Sequence, residues 1–192
     1  MNKGAAIVMN ASEMSSEIQR LRGEVARLQE RVAQLDEMAH QDPLVAMPNR
    51  RGFERELQRM IARISRYQAK GALLYVDIDG LKIINDSFGH RAGDEALIQV
   101  SRLLVEGLRR SDIVARIGGD EFCVLLENVE EAGALETAQR LGDAICDCEF
   151  MYEGDALPLS VAIGVAAILA EDSIEDVMAR ADAEMYRRKA AA

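Results

Sequence analysis

Ile113-Val114-Ala115-Arg116-Ile117-Gly118-Gly119-Asp120-Glu121-Phe122-Cys123-Val124-Leu125-Leu126 reads as two apolar strands, residues 113–117 and 122–126, joined by a glycine pair and two acids. Short runs of β-branched, aromatic and aliphatic residues about such a turn predict a β-hairpin. Paired glycines tolerate positive φ and carry no Cβ, so the backbone can turn tightly and approach a ligand. Upstream, the apolar residues 72–78 predict a further strand that runs straight into Asp77-Ile78-Asp79-Gly80. Residues two apart on a strand share a face, which puts Asp77 and Asp79 on one side. If the hairpin lies beside this strand, several carboxylates converge, and their repulsion raises at least one pKa unless a cation neutralises them. Oxygen-only donors suit Mg²⁺, which completes its shell with water and substrate phosphate.

The elements around these acids alternate between helix and strand. Apolar spacing predicts a helix over residues 51–67 with Phe53, Leu57, Ile61 and Ile64 on one face, then helices at 81–86, 93–108 and 130–146. A strand rich in small and β-branched residues is predicted over 159–167. Ser173 opens a last helix, with Asp176 at capping-box spacing.

Before all this comes a rod. Ile18, Leu21, Val25, Leu28, Val32 and Leu35 alternate in steps of three and four, a heptad seam. β-Branched residues at a and Leu at d favour two parallel strands. In that register Glu17 meets Arg22 and Arg31 meets Asp36 across the dimer, while Glu24 meets Gln29, so no pair is repulsive. The competing reading is an amphipathic helix lying on its own domain, since the run is short and Gly23 weakens it. Asp42-Pro43 ends the rod, because the residue before proline disfavours helix. The expected organisation is a flexible N-terminus at 1–12, a parallel dimeric coiled coil at 13–40 and one domain at 41–192.

Composition narrows the function. The 192 residues allow one compact domain plus an appendage, and 49% apolar residues suffice for a real core. A net charge of −10 disfavours gripping a nucleic acid polymer by its phosphates, though a small anion can still bind a local basic site. Three cysteines, Cys123, Cys146 and Cys148, lack disulfide or zinc spacing and suggest a reducing cytoplasm. The apolar patch at residues 5–9 is too short for a signal sequence or a membrane span.

Three blocks together resemble the GGDEF-domain diguanylate cyclases: residues 76–86 (VDIDGLKIIND), 88–94 (FGHRAGD) and 116–122 (RIGGDEF), within a similarity covering about 42–189. The resemblance implies an α+β, nucleotide-cyclase-like fold with a central mixed, antiparallel-containing sheet flanked by helices. It implies condensation of two GTP into cyclic di-GMP and two pyrophosphates across a dimer. It makes Asp77, the Ile78 carbonyl and Asp120 ligands of Mg²⁺, with Mn²⁺ as an alternative, and Glu121 a ligand of the second ion or an orienting group. It further implies that Asp120 helps deprotonate the ribose 3′-hydroxyl and that Gly118 and Gly119 let the hairpin run against the nucleotide. Lys82 and Lys189 are implied phosphate contacts. Asn85 and Asp94 are the implied guanine readers: an ionised Asp94 accepts from N1–H and the exocyclic amine, a match adenine cannot make. The bland alternative is that Asn85 ends one helix and Asp94 caps the next.

Arg109-Arg110-Ser111-Asp112 is an RxxD in the register of the family's product-inhibition site, where Arg109 and Asp112 would bind cyclic di-GMP. Arg116 reads equally as a phosphate neighbour or a structural ion-pair partner, and His90 as a structural residue. The chain departs from the family pattern at Val45 and Ala46, where Thr and Gly are usual, at Leu81 for Phe, at Ala162 for Ser, and in lacking Gly-Arg-Asn after the last helix. The rival functional reading is a catalytically silent module that senses cyclic di-GMP or GTP.

Overall fold

The computed structural model describes residues 11–191. They divide into two units, one ending at Ala39 and one beginning at His40. Residues 1–10 of the expected flexible N-terminus lie outside the described residues, whereas Ala11 and Ser12 already belong to a helix.

The first unit is essentially α1 (Ala11–His40). Its seam residues Ile18, Leu21, Val25, Leu28, Val32 and Leu35 are 46–64% exposed, and Met14 extends the row at 51%. Within the helix Arg20 pairs with Glu17 at 2.7 Å and Glu24 at 3.3 Å, contacts worth little each in water.

The second unit opens on a turn built by Asp42, whose Oδ1 accepts from the Leu44 and Val45 amides at 2.9 and 3.0 Å. Val45 and Met47 are buried, so at this departure from the family pattern the side chain packs into the core. Asn49 then caps α2 (Arg50–Tyr67) by accepting from the Gly52 amide. Its buried face is Phe53, Leu57, Met60 and Ile64, with Met60 in place of the expected Ile61, which is only partly buried.

There follow β1 (Gly71–Ile78), α3 (Leu81–Phe88), α4 (His90–Glu106), β2 (Ile113–Arg116), β3 (Glu121–Glu127), α5 (Glu131–Cys146), β4 (Met151–Tyr152), β5 (Asp155–Ala156), β6 (Val161–Ala167) and α6 (Ile174–Ala191). The main sheet has the order β2-β3-β1-β6. The expectation was a mixed sheet containing antiparallel strands; each of its pairings is antiparallel. The strands that run the same way, β1 with β2 and β3 with β6, are never neighbours. The physical reason is the β-α-β-β-α-β path, in which each helical crossover skips one position in the sheet.

Both sheet faces are covered, which is why β1 reads as an unbroken apolar run. Ala72, Leu74, Val76 and Ile78 face a core completed by α3, α4 and α5. Leu73 and Tyr75 face the opposite core with α2 and α6. There α6 lies directly on β6 at Gly164, where a Cβ would come within 2.0 Å of the Ala181 carbonyl oxygen and 2.3 Å of the Met185 nitrogen. A small hairpin, β4–β5, was not expected. Its turn holds Glu153 and Gly154 at φ 51° and 97°, the two positive values that a two-residue hairpin turn needs.

Candidate active site

The site assembles where β1 and β3 end together. Their register sets Asp77 opposite Glu121, and the Ile78 amide donates to the Asp120 carbonyl at 3.0 Å. Asp77, Ile78, Asp120 and Glu121, dispersed in sequence, are thus joined by main chain. Asp77 shares the face of Leu73 and Tyr75, onto which α6 packs. Lys189, in the last turn of α6, forms an ion pair with Asp77 and lies 3.8 Å from Asp79. Burial pushes the Asp77 carboxyl up, Lys189 opposes this, and the charges of Asp120 and Asp79 add to the rise. The Lys189 ammonium is in turn held above its ordinary value, chiefly by its hydrogen bond to Asp77. Asp79 is steadied by Ser160, whose hydroxyl donates to Oδ2 at 2.9 Å while its carbonyl accepts from the Asp79 amide.

The hairpin tip differs from the expected glycine turn. Among the described residues the glycines at positive φ are Gly80, Gly89 and Gly154, so neither Gly118 nor Gly119 uses that freedom. At Gly118 a Cβ would lie 2.1 Å from Glu121 Oε2, so a larger residue there would push that carboxylate aside. Gly119 faces open space. The Glu121 carboxylate accepts a hydrogen bond from the Tyr75 hydroxyl at 2.7 Å. Burial and this carboxylate raise the Tyr75 phenol well above its usual range, so it remains a donor.

Arg116 is resolved as an ion-pair partner. Its guanidinium contacts Asp42 at 3.4 Å and donates to the Gly119 carbonyl at 2.7 Å. It therefore ties the first turn of the domain to the hairpin tip, and Asp42 is the residue whose role the sequence did not reveal.

Asn85 and Asp94 come from adjoining helices. Asn85 lies inside α3, and its amide rests on Gly93 of α4, where a Cβ would sit 2.1 Å from Oδ1. Asp94, the next residue of α4, is exposed. Because α4 begins at His90, earlier than expected, Asp94 is no cap, and because α3 continues to Phe88, Asn85 does not end it. Lys82 is exposed on α3, in the first turn after Gly80.

Arg109 and Asp112 stand apart from these groups. The Asp112 carboxylate accepts from the Arg109 and Glu127 amides at 3.0 and 3.4 Å. Both residues line a cleft of about 180 Å³ that Arg140 and Glu136 of α5 also line. Arg140 adds a second guanidinium that no motif in the sequence announces.

The donors at the strand ends fit a divalent cation on chemical grounds. They are oxygens only, and they already hold one positive charge, the Lys189 ammonium. Among the described residues no three His, Cys, Asp or Glu side chains form a metal cage by themselves. Two carboxylates and a carbonyl suit Mg²⁺, which keeps water and phosphate in its shell. Among the described residues no helix is long and apolar enough to cross a membrane.

A family model described as "Diguanylate cyclase, GGDEF domain" matches residues 39–192. The chain is 37% identical over 155 residues to diguanylate cyclase DgcP of Pseudomonas aeruginosa, an alignment covering 81% of this chain and 23% of that protein. It is 39% identical over 129 residues to diguanylate cyclase TpbB of Pseudomonas aeruginosa, covering 67% and 30%. The chain thus spans less than a third of the length of these curated relatives. The crystal structure of the coiled coil and GGDEF domain of DgcB from Caulobacter crescentus, in complex with c-di-GMP, matches with a TM-score of 0.84 at 25% identity, covering 93% of this chain and 95% of that one.

Proposed function

This chain belongs to the GGDEF-domain family of diguanylate cyclases, and on that premise we propose that it condenses two GTP into cyclic di-GMP with release of two pyrophosphates. The observation that carries the reading is the joining of Asp77-Ile78 to Asp120 at paired strand ends, with Lys189 reaching them from α6. Each 3′-hydroxyl attacks the α-phosphate of the other nucleotide, so one GTP sits on each of two protomers. Asp77, the Ile78 carbonyl, Asp120 and Glu121 would hold Mg²⁺ or Mn²⁺. When bound, such an ion stabilises negative charge at the α-phosphate and on the leaving pyrophosphate.

The chain's own groups do the rest. Asn85 and Asp94 read guanine, Asp94 as acceptor for two donors and Asn85 as both donor and acceptor. Lys82 and Lys189 contact phosphate, Lys189 exchanging its carboxylate partners for the nucleotide. Gly118 and Gly119 keep the hairpin thin enough for the substrate to lie along it. Asp120 draws the proton from the attacking hydroxyl. The α1 seam holds two protomers in parallel, and cyclic di-GMP returns to Arg109 and Asp112 as inhibitor. The three free cysteines and the demand for GTP fit a cytoplasmic setting.

Incubation of the purified protein with GTP and Mg²⁺, followed by chromatographic resolution of the nucleotides, tests the reading. Cyclic di-GMP with two pyrophosphates per product is expected. Tight GTP or cyclic di-GMP binding without turnover would replace the enzyme by a sensor module.

A further inference from the structure

Glu121 stands beside Asp120 at the tip of the catalytic hairpin, yet its carboxylate turns toward β1. One oxygen, Oε1, accepts from the Tyr75 hydroxyl at 2.7 Å. The other, Oε2, lies over the α-carbon of Gly118, in space that a Cβ would invade at 2.1 Å. The Glu121 main-chain carbonyl accepts from the amides of Ile117 and Gly118 at 2.9 and 3.3 Å. Glu121 therefore clasps Gly118 from both its main chain and its side chain. What fixes the side-chain half of the clasp is Tyr75, a β1 residue only 5% exposed, whose register partners are Cys123 on β3 and Gly164 on β6. From the position opposite Cys123 a tyrosine reaches diagonally to a residue two places along the neighbouring strand.

We propose that Tyr75 is a positioning residue for the condensation: its hydroxyl orients the Glu121 carboxylate across Gly118, and the clasped turn holds Asp120 at the end of β1. The inference rests on the proposed cyclase reading for its effect on turnover, and on the hairpin geometry alone for its effect on the turn. Packing alone does not call for the hydroxyl, since phenylalanine would fill the same core space with the same ring, and a buried hydroxyl must be hydrogen-bonded to be tolerated. Here the partner that meets this need is the Glu121 carboxylate. A carboxylate with a fixed donor loses rotamer freedom before substrate arrives, which is the means by which groups behind a catalytic centre sharpen it.

The test is Tyr75→Phe in the full chain, with Gly118→Ala as a second variant that displaces the same carboxylate by steric contact rather than by loss of the donor. Three quantities are measured: kcat and KM for GTP, the affinity for a non-reactive GTP analogue, and amide hydrogen exchange across residues 117–121. Removal of an orienting group behind an active site costs about 10-fold in activity, so Tyr75→Phe should lower kcat by about that factor with KM and analogue affinity within about twofold. Exchange should quicken at the hairpin tip and stay unchanged in β1 and β6. Combined with Glu121→Gln, the tyrosine change should add nothing further, because its effect passes through that carboxylate. Unchanged kcat and unchanged tip exchange in Tyr75→Phe, or losses that multiply in the double variant, would overturn the assignment. A wild-type protein that makes no cyclic di-GMP while Tyr75→Phe still loosens the tip would sink the cyclase reading and leave the clasp standing.

Discussion

Asp120 is where a single atom decides most. Its carbonyl is fixed by the Ile78 amide at 3.0 Å, so the main chain delivers the side chain to the strand ends whatever that side chain is. Asp120→Asn keeps this hydrogen bond and the shape while removing one charge. Turnover should fall by about 10²–10³-fold, the usual cost of losing one electrostatic stabiliser, with the thermal midpoint essentially unchanged. Near-normal cyclic di-GMP output from that variant would take Asp120 out of the chemistry. Asp172 makes a different kind of point. Arg180 grips its carboxylate with two hydrogen bonds of 2.6 and 2.8 Å, and this contact first, with the Leu169 amide behind it, holds the carboxyl below its ordinary range. A depressed carboxyl stabilises the fold above the unfolded value, about 4, and loses that contribution as pH falls through the lower folded value. Asp172→Asn should therefore be less stable than wild type near neutral pH, with the gap closing in acid unfolding curves as pH drops below about 4. A gap that persists to strongly acidic pH would assign the loss to packing.

Among the elements, α6 does two jobs: it covers one sheet face and delivers Lys189 to Asp77. Both depend on how closely it sits on β6. At Gly164 the atoms within 2.3 Å of a built Cβ are backbone, the Ala181 carbonyl and the Met185 nitrogen. They cannot swing aside as a side chain can. Gly164→Ala should cost about 1–3 kcal/mol in urea unfolding, the range for overpacked sites, and should also weaken nucleotide binding because Lys189 moves with the helix. Gly119→Ala, which faces open space, is the matched control for stability. On the opposite side, the turn after α4 and helix α5 frame the cleft of Arg109, Asp112 and Arg140. Arg109→Ala should relieve inhibition by cyclic di-GMP in steady-state assays without abolishing synthesis, since the guanidinium lies outside the catalytic set. An inhibition curve identical to wild type would reduce the RxxD to a helix end.

For the whole molecule, the proposed condensation calls for two half-sites, and on that proposal α1 is the element that would bring them together. Its six seam side chains are at least 46% exposed, apolar surface that a parallel partner helix would cover. A short tether of this kind raises effective concentration to about the mM range, after which geometry sets the rate. Placing Lys at Leu21 and Leu28 puts like charges in the seam. The variant should sediment as a monomer at low concentration, bind GTP normally, and show activity rising more steeply than linearly with protein. Wild-type specific activity from a stable monomer would exclude both the seam's role and the two-half-site mechanism.

Much of this was legible in the residues alone. The period of apolar side chains located the helices and main strands, because burial on one face or two imposes spacings of 3.6 or 2 on any chain that must cover a core. The capping box of α6 was legible too, since Ser173 and Asp176 exchange hydrogen bonds within one turn of chain, the Asp176 amide donating at 3.1 Å and the Ser173 amide at 3.0 Å. Local chemistry of that kind travels with the sequence. What the tertiary structure decided was every relation between distant segments. The antiparallel pairing throughout the sheet, the tie from Asp42 through Arg116 to Gly119, the seat of Asn85 on Gly93 and the clasp of Tyr75 on Glu121 each join residues with no shared period. A tyrosine in a buried strand looks like any other β-former, and a glycine pair looks like a turn. Only the register of β1 against β3 shows that one phenol has a carboxylate to hold and that this carboxylate lies against Gly118, because a strand's partner is chosen by the packing of whole faces and not by the residues at its tip.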